Sequence, residues 1–402
     1  MAPVKSRRFV VGLGVACLAL LPVFHAGAVT AQSDQAFAQA PVEVRIPEPP
    51  QAVVGSDGVT HLAYELHVSN FHKDTGVLNL RRVAVYADDG AAPLASFING
   101  QINDLLSHPA DLAPAGVPVE GGGRVVLFLW IDLPAGAKPP KVLRHQLEFE
   151  PRRGPRQLVD GVRMAVDTKP PIVVGPPLGA GRWLAHEGPG NHLSHHWGSL
   201  VAANGRVTIP QRYAIDFFGL DGAGHLVHVP RDQLTESKDA DWTGFGAPVL
   251  AVADGVVRDA RDGQPNLKPM TSPPAPTELT ARSLMGNFVV LEIAPKVFVS
   301  YAHLQPGSLT VKIGDRVKRG AVIGRLGQSG AANAPHLHFQ VTDALTFEES
   351  EGLPFVIDRF DRLGSASVSD ALDQTAKVSF GPPSPTARRD QMPLDRDVLQ
   401  FR

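Results

Sequence analysis

The stretch "NAPHLHFQV", residues 333–341, decides how the rest of the chain is read. It sets His336 and His338 two positions apart in an apolar run. In an extended strand successive side chains alternate between faces. Both imidazoles therefore turn to one side, and Leu337 and Phe339 turn to the other. Two imidazoles on one face are costly to bury without partners, so the question is what they hold.

Two more stretches offer partners. "QRYAIDF" (211–217) carries Asp216 inside an apolar strand, where a carboxylate is disfavoured unless it is paired or bound to a metal. "VFVSYAHL" (297–304) ends a β-branched and aromatic strand with His303. The single cysteine, Cys17, reads as an ordinary hydrophobe within the apolar run from Phe9 to Phe24. That run follows Lys5, Arg7 and Arg8 and precedes small residues, so residues 1–31 are expected to be an export signal, cleaved after Ala28 or Ala31. No stable transmembrane anchor is expected, because the run is short for a span and contains Pro22. Any metal in the exported chain must then be held by histidine and carboxylate.

Composition agrees with a turn-rich β protein. The 402 residues include 39 Gly and 36 Pro, and 19% are charged. A net charge of -2 supplies no basic field for nucleic acid.

The alternating pattern extends over two regions. In "THLAYELHVSN" (60–70) Leu62, Tyr64, Leu66 and Val68 share one face, in "VLRHQLEFE" (142–150) Leu143, His145, Leu147 and Phe149 do the same, and "RVVLFLWIDL" (124–133) suits a buried strand. Residues 32–170 are therefore expected to form a β-sandwich-like domain, with a linker at 33–50 and with His61, His67 and His72 at the surface. Residues 171–358 are a second β-rich domain and carry all the residues with chemical potential, including a long Pro/Ser/Thr-rich loop at 261–283. Residues 359–402, rich in proline and charge, are expected to be a poorly ordered tail.

In their order, "YAIDF", "FGAPVLAVADGVV" (245–257), "GNFVVLEI" (286–293), "YAHLQPGSLTVKIGDRVKRGAVIGRLGQSG" (301–330) and "APHLHFQV" resemble the LytM/lysostaphin-type M23 zinc endopeptidases. The resemblance covers about a third of the chain and implies an antiparallel β-sheet core with Zn2+ in a groove. It implies Asp216 and His338 as metal ligands, and His303 and His336 as the unligated pair that activates water and stabilises the oxyanion. The implied substrate is the crosslinking peptide of peptidoglycan.

One position departs from the family pattern. The family places a histidine four residues before the aspartate, and here that position is Arg212, which stays protonated and cannot bind zinc. Upstream, "NHLSHHWGSLVAANGRVTIPQRYAIDF" (191–217) contains Asn204-Gly205, a strong hairpin turn signal. If those two residues are the turn, His195 lies on the face that carries Asp216, and it is the expected third ligand. A slip of one residue would favour His196, and divergent sequences of this type also point to that position. His186, His192, His225 and His228 are less favoured donors.

Two functions follow. One is an exported zinc endopeptidase that cuts peptidoglycan crosslinks. The other is a non-catalytic relative that binds wall peptide or activates another hydrolase, an option opened by Arg212. A biotinyl or lipoyl carrier, suggested by "GDRVKRGAVIG", lacks a lysine in the required hairpin context.

Overall fold

The computed structural model describes residues 37–107, 116–191, 193–272, 280–381 and 385–402. The expected export signal, His192 and part of the 261–283 loop lie outside the described residues.

Two sheets form the N-terminal region. One is six-stranded and is centred on Leu78–Ala87 and Val142–Pro151; the other is four-stranded and pairs Thr60–Asn70 with Gly123–Asp132. Alternation in 60–70 turns Leu62, Tyr64, Leu66 and Val68 inward. There they pack against Leu80, Val83, Leu147 and Phe149 of the facing sheet. The described part of the 33–50 segment is not a plain linker, because Ala38–Gln39 and Glu43–Arg45 each pair with one of the sheets.

The opposite face of Thr60–Asn70 does not meet water. Ala63 and Phe128 join the core of the following region, and Glu65, His61 and His67 are buried. This corrects the surface positions expected for His61 and His67. His61 lies between Asp57 and Asp132, with its ring 4.6 Å from that of Trp130. An alternating strand of this kind reads as having one solvated face, and here a second layer covers it.

The second region is built on one ten-stranded antiparallel sheet. Its middle runs Phe288–Ala294, Val297–Ala302, Leu337–Thr342, Ile215–Leu220 and Gly181–His186. Val, Ile, Leu and Phe dominate these strands because the sheet is covered, with Ile215, Phe217, Leu337, Phe339 and Tyr301 all in the core.

The described residues of 359–402 do not form the expected poorly ordered tail. Asp397–Phe401 pairs with Gly181–His186, and Phe360–Ser365 pairs with it in turn, so the described C-terminal residues extend the central sheet. Val398, Leu399 and Phe401 are fully buried. Hydrophobic burial outweighs the local proline content.

Candidate metal centre

The sheet register assembles the site. Asp216 lies opposite His186 on one side and His338 on the other, and His338 lies opposite Ala302. His303 follows Ala302 and has a left-handed backbone (φ 63°), which is unusual for a non-glycine residue. Its amide bonds to Met285 O at 2.9 Å and its carbonyl accepts from Gly327 N at 3.1 Å, so neighbours on both sides fix the turn. His303, His336 and His338 come together, with ring centroids 4.7 Å apart for His303–His336 and 5.9 Å for His303–His338. Phe218, two residues along the strand from Asp216, stacks on His336 at 4.9 Å.

The Asn204-Gly205 turn forms as expected, with both residues at positive φ and Val201 opposite Thr208. Each arm is only three residues long. The chain leaves the ladder before His195, so strand pairing does not carry that residue to Asp216. The described residues of 187–199 instead form a loop organised around Glu187, itself at φ 53°. The Glu187 carbonyl accepts from His196 Nδ1 at 2.9 Å and from Ser194 Oγ at 2.8 Å. The loop thereby sends His196 inward, with Nε2 3.6 Å from Asp216 Oδ1. His196 is 2% exposed. His195 is 65% exposed, and its Nδ1 lies 3.2 Å from the Glu187 carboxylate. Ligand-type atoms of His195, His196 and Asp216 all lie within 4.8 Å of one another. His186, Glu187, His195, Asp216, Phe218 and Met270 line an open pocket of about 200 Å3. His225 and His228 contact Asp221 and do not line this pocket.

Each inner imidazole has one nitrogen committed. His196 Nδ1 donates to Glu187 O, His303 Nδ1 to Ser329 O at 2.8 Å, and His336 Nδ1 to Ala334 O at 2.8 Å. His338 Nε2 faces Gln340 Oε1 at 2.8 Å. With hydrogens assigned from these acceptors, the opposite nitrogens carry lone pairs. His338 Nδ1 then faces Asp216 Oδ1 at 3.0 Å, and His336 Nε2 faces the same oxygen at 3.5 Å. Acceptors aimed at a carboxylate oxygen repel it unless a cation or proton lies among them.

Electrostatics follow from this crowding. Burial alone would raise the Asp216 carboxyl, but the attraction it would have for His336, His196 and His338 in their protonated forms, with the hydrogen bond of His338, holds it well below the usual carboxylate range. Burial pushes His196 down to about 3, against the attraction of Asp216. Burial, reinforced by His336 and His338, presses His303 well below the ordinary imidazole value, and burial also lowers His336. At neutral pH these three imidazoles are neutral, the form in which histidine binds metal or accepts a proton.

Arg212 makes no contact with this centre. It is buried and ion-paired with Glu65 of the N-terminal region and with Glu351, whose Oε2 is 3.1 Å from Nη2. Burial disfavours its charge, but the two carboxylates more than offset that and keep it protonated.

Sequence reasoning missed Gln340 and Glu187. Gln340 was open to discovery, since it lies two positions beyond His338 on the same strand face. Glu187 acts mainly through its backbone carbonyl, and no side-chain pattern signals that.

Comparison with known proteins bears on the second region. The sequence profile described as Peptidase family M23 matches residues 239–348. That match includes His303, His336 and His338 and begins downstream of His196 and Asp216. The chain is 30% identical over 115 residues to the peptidoglycan DD-endopeptidase ShyC of Vibrio cholerae, covering 28% of this chain and 22% of that protein. It is 32% identical over 104 residues to the cell division protein DipM of Caulobacter vibrioides, covering 26% of this chain and 14% of that one. The match thus spans about a fifth or less of these relatives' length. Among solved structures, the catalytic domain of lysostaphin from Staphylococcus simulans is 23% identical, with a TM-score of 0.23, covering 43% of this chain and 88% of that one.

Proposed function

Residues 239–348 belong to peptidase family M23, and on that premise we propose that the protein is an exported zinc endopeptidase that hydrolyses peptide crosslinks of peptidoglycan. One observation carries the reading. The free nitrogens of His196 and His338 converge on the Asp216 carboxylate, while their other nitrogens are fixed by Glu187 O and Gln340 Oε1. Two imidazoles and a carboxylate suit zinc, and the outer partners fix the tautomer of each ligand. We assign His196, Asp216 and His338 as the ligands; His336, whose Nε2 lies 3.5 Å from the same oxygen, is left to proton transfer, the role the family resemblance implies. His195, the ligand expected from the hairpin, is left at the pocket mouth on Glu187.

Zinc bound there would polarise the scissile carbonyl and lower the pKa of a water towards ~7. His336 keeps its Nε2 free because Ala334 O holds Nδ1–H, so it can take a proton from water and return it to the leaving amine. His303 is held in the same way by Ser329 O. Burial keeps His303 neutral at rest; taking a proton from solvent at Nε2 as negative charge develops on the substrate oxygen would make it a cationic donor to that oxyanion. The substrate class is supported by the relative named as a peptidoglycan DD-endopeptidase. The non-catalytic alternative drew on the missing histidine at 212, and His196 supplies that imidazole from another loop. Among the described residues no helix is long and apolar enough to cross a membrane.

The test is metal analysis of the purified protein combined with digestion of muropeptides, and N-terminal sequencing of protein from the cell envelope. Bound zinc, cleaved crosslinks and a start after Ala28 or Ala31 are expected. Zinc without cleavage would favour the binding protein.

A further inference from the structure

We propose that the N-terminal sandwich is a working part of the metal centre, with Glu65, itself held by Arg212, acting through Trp197 to position His196. The inference rests on the assignment of His196 as a metal ligand.

The residue after His196 is anchored outside the peptidase region. Trp197 is 2% exposed and donates from Nε1 to Glu65 Oε1 at 3.3 Å. Its ring meets Phe128 at 6.2 Å and Trp130 at 5.6 Å, both edge-on. Glu65 lies on Thr60–Asn70, and Phe128 stands opposite it on Gly123–Asp132. The next residue is pressed against the sandwich as well. A Cβ on Gly198 would come within 2.8 Å of the Ser107 side chain. The Glu65 Oε1 that receives Trp197 also receives Arg212. One buried carboxylate therefore ties the sandwich both to the loop bearing His196 and to the position where the family pattern has its own histidine.

The physical consequence is a division of labour. A histidine four residues before the aspartate lies close to it in the chain. His196 is twenty residues from Asp216 and sits on a loop with no strand pairing, so its angle of approach depends on what the loop packs against. Glu187 O sets the ring tautomer from one side, and the Glu65–Trp197 contact fixes the backbone from the other. Glu65, Trp197 and Arg212 are positioning residues in this scheme. Partners of this kind, outside the ligand shell, change metal affinity by about 10–100-fold when lost.

The experiment uses the full chain and reads zinc affinity by competition with a chelating indicator, with the visible spectrum of the cobalt-substituted protein as a second readout. Trp197→Phe keeps most of the apolar contact but loses the hydrogen bond, and Glu65→Gln removes the charge. Leu147→Ala lies in the sandwich core away from the clamp and serves as the stability control. We expect the first two to weaken zinc about tenfold or more and to alter the cobalt spectrum. Leu147→Ala should lower the unfolding temperature and leave zinc affinity within about twofold of the unsubstituted chain. If Glu65→Gln does not fold, Trp197→Phe decides alone. Zinc affinity unchanged in Trp197→Phe, or weakened equally by Leu147→Ala, overturns the inference. An unsubstituted chain that takes up no zinc overturns the metal assignment beneath it.

Discussion

Deleting residues 394–402 should prevent the second region from folding. This segment contributes Val398, Leu399 and Phe401, each at most 1% exposed. Burial of such side chains is worth about 1.5–3 kcal/mol each, so the three together account for about 5–9 kcal/mol. That is comparable to the whole stability of a typical domain, about 5–15 kcal/mol. The deletion would also remove the ladder to Gly181–His186 and the buried Asp397 carboxylate, which accepts from Ser56 Oγ, Arg362 Nε and Leu394 N. The strand that loses its partner leads directly into Glu187. A milder substitution, Phe401→Ala, should cost about 3–5 kcal/mol and leave a folded protein. Urea unfolding followed by circular dichroism measures both. A deletion variant with the unsubstituted chain's midpoint, or a Phe401→Ala cost below about 0.5 kcal/mol, the range of surface substitutions, would refute the burial argument and restore the reading of 359–402 as a tail.

Two further outcomes are expected. His303→Ala and His336→Ala should lose crosslink hydrolysis while keeping most of their zinc, because both residues are assigned to proton transfer and oxyanion stabilisation; metal loss as complete as in His338→Ala would remove that division of roles. Stability should also fall with acid through His145, which is buried on Tyr64 and Val162 O, with burial pushing its imidazole down to about 4. Between about pH 6.5 and 4 the unfolded chain binds a proton there and the folded chain does not, so stability drops as pH falls through that window, by about 3 kcal/mol in all. Urea midpoints across this range should flatten in Tyr64→Phe/His145→Leu, and an unchanged slope would dismiss His145 as the cause.

What was legible in the sequence was what local periodicity encodes. The His-x-His pair, the aspartate in an apolar strand and the histidine ending Val297–Ala302 each carry a strand pattern, and the register sets Asp216 beside His338. The Asn204-Gly205 turn was legible for the same reason. The hairpin's length was not, because its arms end at Val201 and Thr208 and the chain then turns through Ile209–Gln211 under tertiary packing. Glu65 reads as the solvated position of an alternating strand. Its partners Trp197 and Arg212 lie far along the chain, and no local pattern reports a layer stacked on that face. Asp397–Phe401 was hidden by the prolines before it, although Val398, Leu399 and Phe401 carry the apolar signal of a short covered strand.

The most direct test of the ligand assignment is the zinc content of the purified protein measured in parallel for the unsubstituted chain, His196→Ala and His195→Ala, each confirmed as folded. The geometry predicts one zinc per chain in the unsubstituted protein and in His195→Ala, and loss of zinc in His196→Ala. Full zinc in His196→Ala with loss in His195→Ala would contradict it and return the third ligand to the exposed histidine.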